Sequence, residues 1–437
     1  MKKLSKTVTA ALCLALALIL SSCSIMDIGG VLSENEAAAG GEYMTREEVE
    51  ALLQGVEENV TVNAGDSYNI EINSAYDGNL LAASRALLSS VSVDCTFNVT
   101  KVVSGGLMGG STTQKTTQKH ASGAGVIYKL DKNAGSAYVI TNYHVVYLAG
   151  SDTANDISDQ IKIYLYGQEY KDYAISAKYI GGSMNYDIAV LKIDGSDVLR
   201  ESNAVAATFA DSNNVSVLDT AIAIGNPTSG GISATVGAVN IESEEITMTA
   251  LDGNGNIDLR VMRTDAAVNG GNSGGGLFNG KGELIGIVNA KMSSDGVENI
   301  GYAIPSNVAK YVADNIIYYD TLDAKNDSVY RLLVGVSVSI SKAYTEYDTE
   351  TGKVRRLEQV QISSVVAGGA ADGKLAAGDI VNSVTIDGVK YDIVRSYNVV
   401  DVMLTARQNS TVVFNVTRNG QSMDITVDVS RVALTAY

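Results

Sequence analysis

At 437 residues, and about 150 residues per domain, the chain has material for two or three cores, and 46% hydrophobic against 19% charged residues excludes disorder over most of its length. With 32 Lys and Arg against 49 Asp and Glu the net charge is −17, which repels a phosphate backbone and excludes nucleic acid as a partner. Two His and three Cys leave almost nothing for a transition-metal site or a disulfide framework, so no metal or other cofactor is expected, and two Pro exclude a proline-rich stalk.

Lys2, Lys3 and Lys6 make a basic start, and Val8 to Leu20 is an apolar run too short to cross about 30 Å of hydrocarbon as a helix. Small residues follow, which is the build of a secretory signal peptide over residues 1–22. The run closes on Leu20-Ser21-Ser22-Cys23, which resembles the lipobox of bacterial lipoproteins. That resemblance implies that Cys23 becomes the new amino terminus and carries lipid, holding an extracytoplasmic protein at a bacterial cell membrane or envelope. Two acyl chains anchor stably where one binds only marginally. Cys13 leaves with the peptide, so Cys95 is the sole unmodified thiol and no internal disulfide is expected through it.

Residues 23–84 read as a tether. Its first part, 24–43, is small and polar, and Thr45-Arg46-Glu47-Glu48 then forms a capping box. Val49, Leu52, Leu53 and Val56 follow at helical spacing, as a spacer packed on a domain or, in a sharper reading, a self-association element. Asn59 to Asn73 alternates around Gly65-Asp66 and predicts a hairpin, and Leu80 to Leu88 predicts a short helix. From Val91 onward short β-rich runs alternate with Gly, Asn, Asp and Ser. They are Val91–Val99, Gly125–Leu130, Ala137–Thr141, Gln160–Tyr166, Ile188–Ile193, Thr220–Ile224, Glu283–Val288 and Gly301–Ile304, and their spacing predicts a barrel or sandwich. Ser104–Ser122, rich in Gly, Ser, Thr, Gln and Lys, predicts a mobile loop. Asp314–Val329 is a polar passage that separates domains, and a second β-rich module runs from about Leu332 to Val429.

Gly271-Asn272-Ser273-Gly274-Gly275 sets a serine on a glycine-rich tight turn. A serine hydroxyl is a poor nucleophile until a base takes its proton. Only His120 and His144 can serve. His120 lies in the polar stretch and reads as a solvated side chain, whereas His144 ends an apolar strand that holds it rigidly. Both His precede Ser273, which excludes the Ser, acid, His order of α/β-hydrolases and matches the His, Asp, Ser order of chymotrypsin-like enzymes. The acid then lies between residues 144 and 273. Asp187 heads the apolar run Ile188-Ala189-Val190-Leu191 and is the candidate, while Asp194 and Asp211 read as surface turns.

Six motifs in register now resemble the HtrA/Deg serine proteases over roughly residues 85–430: Thr141-Asn142-Tyr143-His144-Val145, Asp187-Ile188-Ala189-Val190-Leu191-Lys192, Ala223-Ile224-Gly225-Asn226-Pro227, Thr264-Asp265-Ala266-Ala267-Val268-Asn269, Gly271-Asn272-Ser273-Gly274-Gly275 and Gly301-Tyr302-Ala303-Ile304-Pro305-Ser306-Asn307. The resemblance implies a mainly β chain, with a chymotrypsin-like double β-barrel protease domain over residues 85–313. It implies a His144, Asp187, Ser273 triad and an oxyanion hole from the backbone N–H groups of Gly271 and Ser273. It also implies a homotrimer acting on protein and peptide substrates.

Arg331-Leu332-Leu333-Val334-Gly335-Val336, Ala370-Ala371-Asp372-Gly373-Lys374-Leu375-Ala376-Ala377-Gly378-Asp379-Ile380-Val381, Ile386-Asp387-Gly388 and Arg418-Asn419-Gly420 resemble the PDZ domains of the same family. A PDZ domain is therefore expected over residues 330–432, β-rich with short helices. Val334, Gly335 and Val336 would surround the carboxylate of a peptide C-terminus added as a strand.

Three local departures carry expectations. Asn272 stands where digestive relatives have an Asp that pairs with a freshly cut amino terminus, so that form of activation is not expected. Ala267 and Val268 line the specificity pocket without an acid, which predicts cleavage after small or medium apolar residues; Lys291 on the opposite wall would instead favour an acidic one. Gly270 stands where relatives carry a bulkier residue, which softens the loop feeding the oxyanion hole. The alternative reading is a catalytically idle, PDZ-containing peptide-binding protein or holdase, and the complete triad argues against it.

Overall fold

The computed structural model describes residues 82–437 apart from 106–109, 154, 170, 228–229, 290–299, 323–327, 431, 433 and 437. The signal peptide, Cys23, the helix after Thr45, the hairpin before Asn73 and Lys291 lie outside the described residues.

Helix α1 (82–87) leads into β1 (Ser90–Gly105), β2 (Gly110–Asp131), β3 (Ser136–Thr141), the one-turn helix α2 (Tyr143–Val146), β4 (Gln160–Leu165), β5 (Ile175–Ser183), β6 (Ile188–Ile193) and helix α3 (Asp197–Glu201). The strands close into an antiparallel barrel in the order β1-β2-β3-β6-β5-β4. Period-two patterning decides which side chains enter it. In β4, Ile161, Ile163 and Leu165 are buried while Gln160 and Lys162 face out. Strand β6 is apolar on both sides because it serves two cores. Ala189 and Leu191 join the first barrel's interior, and Ile188 and Val190 join a cluster between the barrels.

The second barrel comprises β7 (Thr220–Gly225), β8 (Ser233–Thr249), β9 (Asn256–Thr264), β10 (Gly276–Phe278), β11 (Leu284–Val288) and β12 (Gly301–Pro305), closed in the order β10-β11-β12-β9-β8-β7. Helix α4 (Ser306–Thr321) then lays Val308, Ala309, Val312, Ala313 and Ile316 onto the inter-barrel cluster, beside Ile222, Ile224 and Phe278. This shared apolar layer fixes one barrel against the other, which is the condition for a site assembled from both.

Two sequence expectations are corrected. Within Ser104–Ser122, residues 110–122 are not an irregular loop, because β2 begins at Gly110 and its threonines pair with β1, with Thr116 opposite Thr100 and Thr113 opposite Val103. β-Branched residues on a pleated ribbon outweigh the loop signal of Gly, Gln and Lys. The polar passage from Asp314 begins inside α4: Asp314 accepts from Tyr128 Oη (2.7 Å) and Lys129 Nζ (2.8 Å) of the first barrel, so its charge ties the helix down rather than marking a linker.

The C-terminal part pairs β13 (Tyr330–Leu332) with β20 (Leu434–Ala436) and builds a sheet from β14 (Val336–Asp348), β15 (Lys353–Val365), β16 (Ile380–Ile386), β18 (Thr411–Arg418) and β19 (Gln421–Asp428), in the order β14-β15-β16-β18-β19, with β17 (Val389–Asp392) paired to β16. Helix α5 (Ser396–Val402) covers it, and Val360, Ile362, Leu375, Val384, Val399, Phe414 and Val427 form its own core. Cys95 is buried in the first barrel, and burial pushes its thiol up to about 12, so it remains an unreactive thiol near neutral pH. Among the described residues no helix is long and apolar enough to cross a membrane.

Candidate active site

The site begins with two strand ends in the first barrel. β3 delivers Asn142 and His144 at α2, and the turn before β6 delivers Asp187. Asp187 holds a left-handed backbone (φ 47°), a conformation that Asp tolerates better than branched residues do. That turn folds the carboxylate back under α2. Its Oδ1 accepts the backbone N–H of His144 (2.9 Å), and its Oδ2 lies 2.7 Å from His144 Nδ1. The acid is 2% exposed, and among the described residues the imidazole is its one titratable neighbour at bonding distance. A carboxylate at Nδ1 fixes a proton there and leaves the Nε2 lone pair for a substrate or nucleophile.

Two amides complete the setting, and sequence reasoning named neither as functional. Asn289, fully buried at the end of β11, donates from Nδ2 to Asp187 Oδ2 (2.7 Å). Asn142 donates from Nδ2 to the Asp187 carbonyl (2.8 Å). The available signal was a polar residue directly after the wholly buried run Leu284–Val288. Hydrogen bonds to a charged group are worth about 1.5–3 kcal/mol. Asn289→Ala is therefore expected to lower kcat roughly 10- to 100-fold with KM unchanged. Unaltered kcat, or a loss confined to KM, would rule out this positioning role.

Ser273 comes from the second barrel, on the turn between β9 and β10. Gly271 (φ 98°) and Gly274 (φ 84°) adopt backbone that L side chains resist. Space forbids a side chain as well. A Cβ on Gly271 would lie 2.1 Å from the Asn226 carbonyl, and one on Gly274 would lie 2.3 Å from both the Ala124 carbonyl and Thr141 Oγ1. The turn is thus wedged between both barrels, against the two residues that precede Tyr143 and His144. Ser273 O accepts from Ala124 N (2.8 Å), and Gly274 N donates to Val288 O (2.9 Å). Among the described residues the N–H groups of Gly271 and Ser273 donate to no protein acceptor.

The other candidates fall as follows. Val268 packs against Gly301, where a Cβ would lie 2.7 Å from Val268 Cγ2. The Ala267 carbonyl accepts from Thr235 Oγ1 (2.9 Å), and Asn272 Nδ2 lies 3.4 Å from it. A Cβ on Gly270 would meet nothing within 4 Å, so neither space nor backbone demands glycine there. His120 is on β2, 3.1 Å from Thr96 Oγ1, away from Asp187. Asp194 pairs with Lys192, and Asp211 caps a 3-10 turn. Val334 is buried, and its carbonyl accepts from Ala371 N (3.1 Å). Gly335 has φ 80°, and among the described residues the N–H groups of Val334 and Gly335 donate to no protein acceptor.

Residues 123–287 match the model of a trypsin-like peptidase domain. The chain is 33% identical over 308 residues to "Serine protease Do-like HtrA" of Bacillus subtilis, covering 69% of this chain and 62% of that protein. It is 32% identical over 346 residues to the Lactococcus lactis subsp. cremoris protein of the same name, covering 75% of each. Among solved structures, "HtrA-type protease AlgW with decapeptide" aligns with a TM-score of 0.47 and 28% identity over 82% of this chain and 98% of that one.

Proposed function

This chain belongs to the HtrA (Do-like) family of serine proteases, and from that premise we propose that it is a serine endopeptidase whose catalytic groups are His144, Asp187 and Ser273, held at the outer face of a bacterial membrane by lipid on Cys23. The observation that carries the catalytic assignment is the 2.7 Å pairing of His144 Nδ1 with the buried Asp187, beside a serine turn wedged between the two barrels. Ser273 Oγ attacks the scissile carbonyl while His144 Nε2 takes its proton. The tetrahedral oxyanion accepts from the Gly271 and Ser273 N–H groups. His144 then protonates the leaving amine, and water releases the acyl group by the same route. Asp187 keeps the imidazole in one tautomer and stabilises its cation. With Ala267 and Val268 on the pocket wall, the preferred residue before the cut is small or medium and apolar.

The C-terminal sheet is a PDZ domain that binds peptide C-termini. The left-handed Gly335, whose N–H and that of Val334 donate to no protein acceptor among the described residues, supports an anion-binding nest at 334–336. The substrates are unfolded or regulatory envelope proteins. One fractionation tests both parts. A fluorophosphonate label should mark the chain in the membrane fraction together with casein cleavage there, and Cys23→Ser should move both to the soluble fraction. A chain that resists the label and leaves casein intact would be the idle holdase; labelling in the soluble fraction of the parent would remove the anchor.

A further inference from the structure

The peptide groove of the C-terminal module has a second wall, and the second barrel provides it. Strand β14 pairs only with β15 among the described strands, so its other edge is open to an added strand. A cavity of about 580 Å³ lies along that side, within the usual range for ligand sites. Val338 of β14 and Tyr397 and Val400 of α5 line its module side. Glu245, Asp258 and Arg260 of the β8–β9 ribbon line the side opposite, and Arg331 of β13, close to the loop at 333–335, lines it as well.

Ion pairs fix this wall. Arg260 bonds to Asp401, which is 8% exposed, and its guanidinium lies 4.0 Å over the Tyr397 ring. Arg395 also contacts that ring at 5.2 Å and pairs with Glu242 of β8 at 3.3 Å, both side chains being almost buried. Lys353 and Asp219 pair at 2.7 Å farther along.

Register decides what the wall shows. Glu245 stands opposite Arg260 and Thr247 opposite Asp258, so these four share one face of the ribbon. Arg260 is engaged by Asp401. Among the described residues Glu245 has no ion pair, and Asp258 accepts only from Thr247 Oγ1 (2.6 Å). A peptide laid along β14 turns alternate side chains toward the module and toward this wall, which offers Glu245 and Asp258, while Arg331 at the end next to the loop donates to Tyr186 Oη (3.4 Å).

We propose that the module and the second barrel form one composite site, selective for peptide C-termini that carry a Lys or Arg at a position facing Glu245 and Asp258. The proposal rests on the peptide-binding reading of Val334, Gly335 and Val336 and names the side chain that site selects. The test is fluorescence anisotropy on the full-length Ser273→Ala chain, with peptides ending in valine that carry Lys, Ala or Glu second or fourth from the end. At one of these positions Lys should bind about fivefold tighter than Ala, with Glu weaker still. In a Glu245→Gln, Asp258→Asn double variant the three should agree within about twofold, while the loss on amidating the terminus persists. Equal binding by the parent, or a Lys preference that survives the double substitution, overturns the acidic wall alone. No binding by any peptide, or binding indifferent to amidation, overturns the peptide-groove reading and this inference with it.

Discussion

Ser273→Ala is expected to lower kcat on casein by about 10⁵- to 10⁶-fold and to abolish fluorophosphonate labelling, with no change in the thermal unfolding midpoint. The effect is large because the substitution deletes the atom that forms the acyl bond, and the nearby Thr141 hydroxyl is committed to the Ala124 carbonyl (2.7 Å). Stability should hold because the turn is fixed by backbone groups. Ser273 O still accepts from Ala124 N, Gly274 N still donates to Val288 O, and Cβ remains in place. Cleavage within tenfold of the parent, in protein freed of contaminating peptidase, would mean that another residue attacks the carbonyl.

Asp187→Asn is expected to cost about 10⁴-fold in kcat at neutral pH, again with little loss of stability. Asn tolerates the left-handed backbone at φ 47°, and its size matches. Its chemistry does not. The carboxylate now accepts from the His144 backbone N–H, His144 Nδ1 and Asn289 Nδ2 together. An amide has one oxygen to offer and must turn an N–H toward one of these partners. If that partner is Nδ1, the ring must accept there and carry its proton on Nε2, where the lone pair is needed. A kcat within tenfold of the parent would show that the imidazole does not depend on this acid.

The asymmetry between these variants and Asn289→Ala follows from position. Ser273 and Asp187 sit in motifs where chain order, flanking glycines and an apolar strand announce a role. Asn289 sits after an unbroken apolar strand, and its importance exists only because β11 ends beside the turn that carries Asp187. Asn142 lay inside a quoted motif, but its bond to the Asp187 carbonyl became visible only with the chain folded. The β1–β2 ribbon illustrates the converse error. Gly, Gln and Lys in Ser104–Ser122 implied a loop, and pairing across to Val102 and Val103 imposed a strand.

The amino-acid sequence by itself determined the fold class and singled out the candidate nucleophile, base and acid. These depend on local facts: period-two apolar runs, a serine between glycines, and one histidine on a buried strand against one in a polar stretch. Tertiary structure alone decided what surrounds them. It placed two amides on Asp187, seated the serine turn between the barrels, and set Val338, Tyr397 and Val400 of the C-terminal part beside Glu245, Asp258 and Arg260 of the β8–β9 ribbon. Those contacts join residues far apart in the chain, and no local pattern encodes them. They arise when the closed barrels and α4 bury one shared apolar layer, bringing polar groups from different strands to bonding distance.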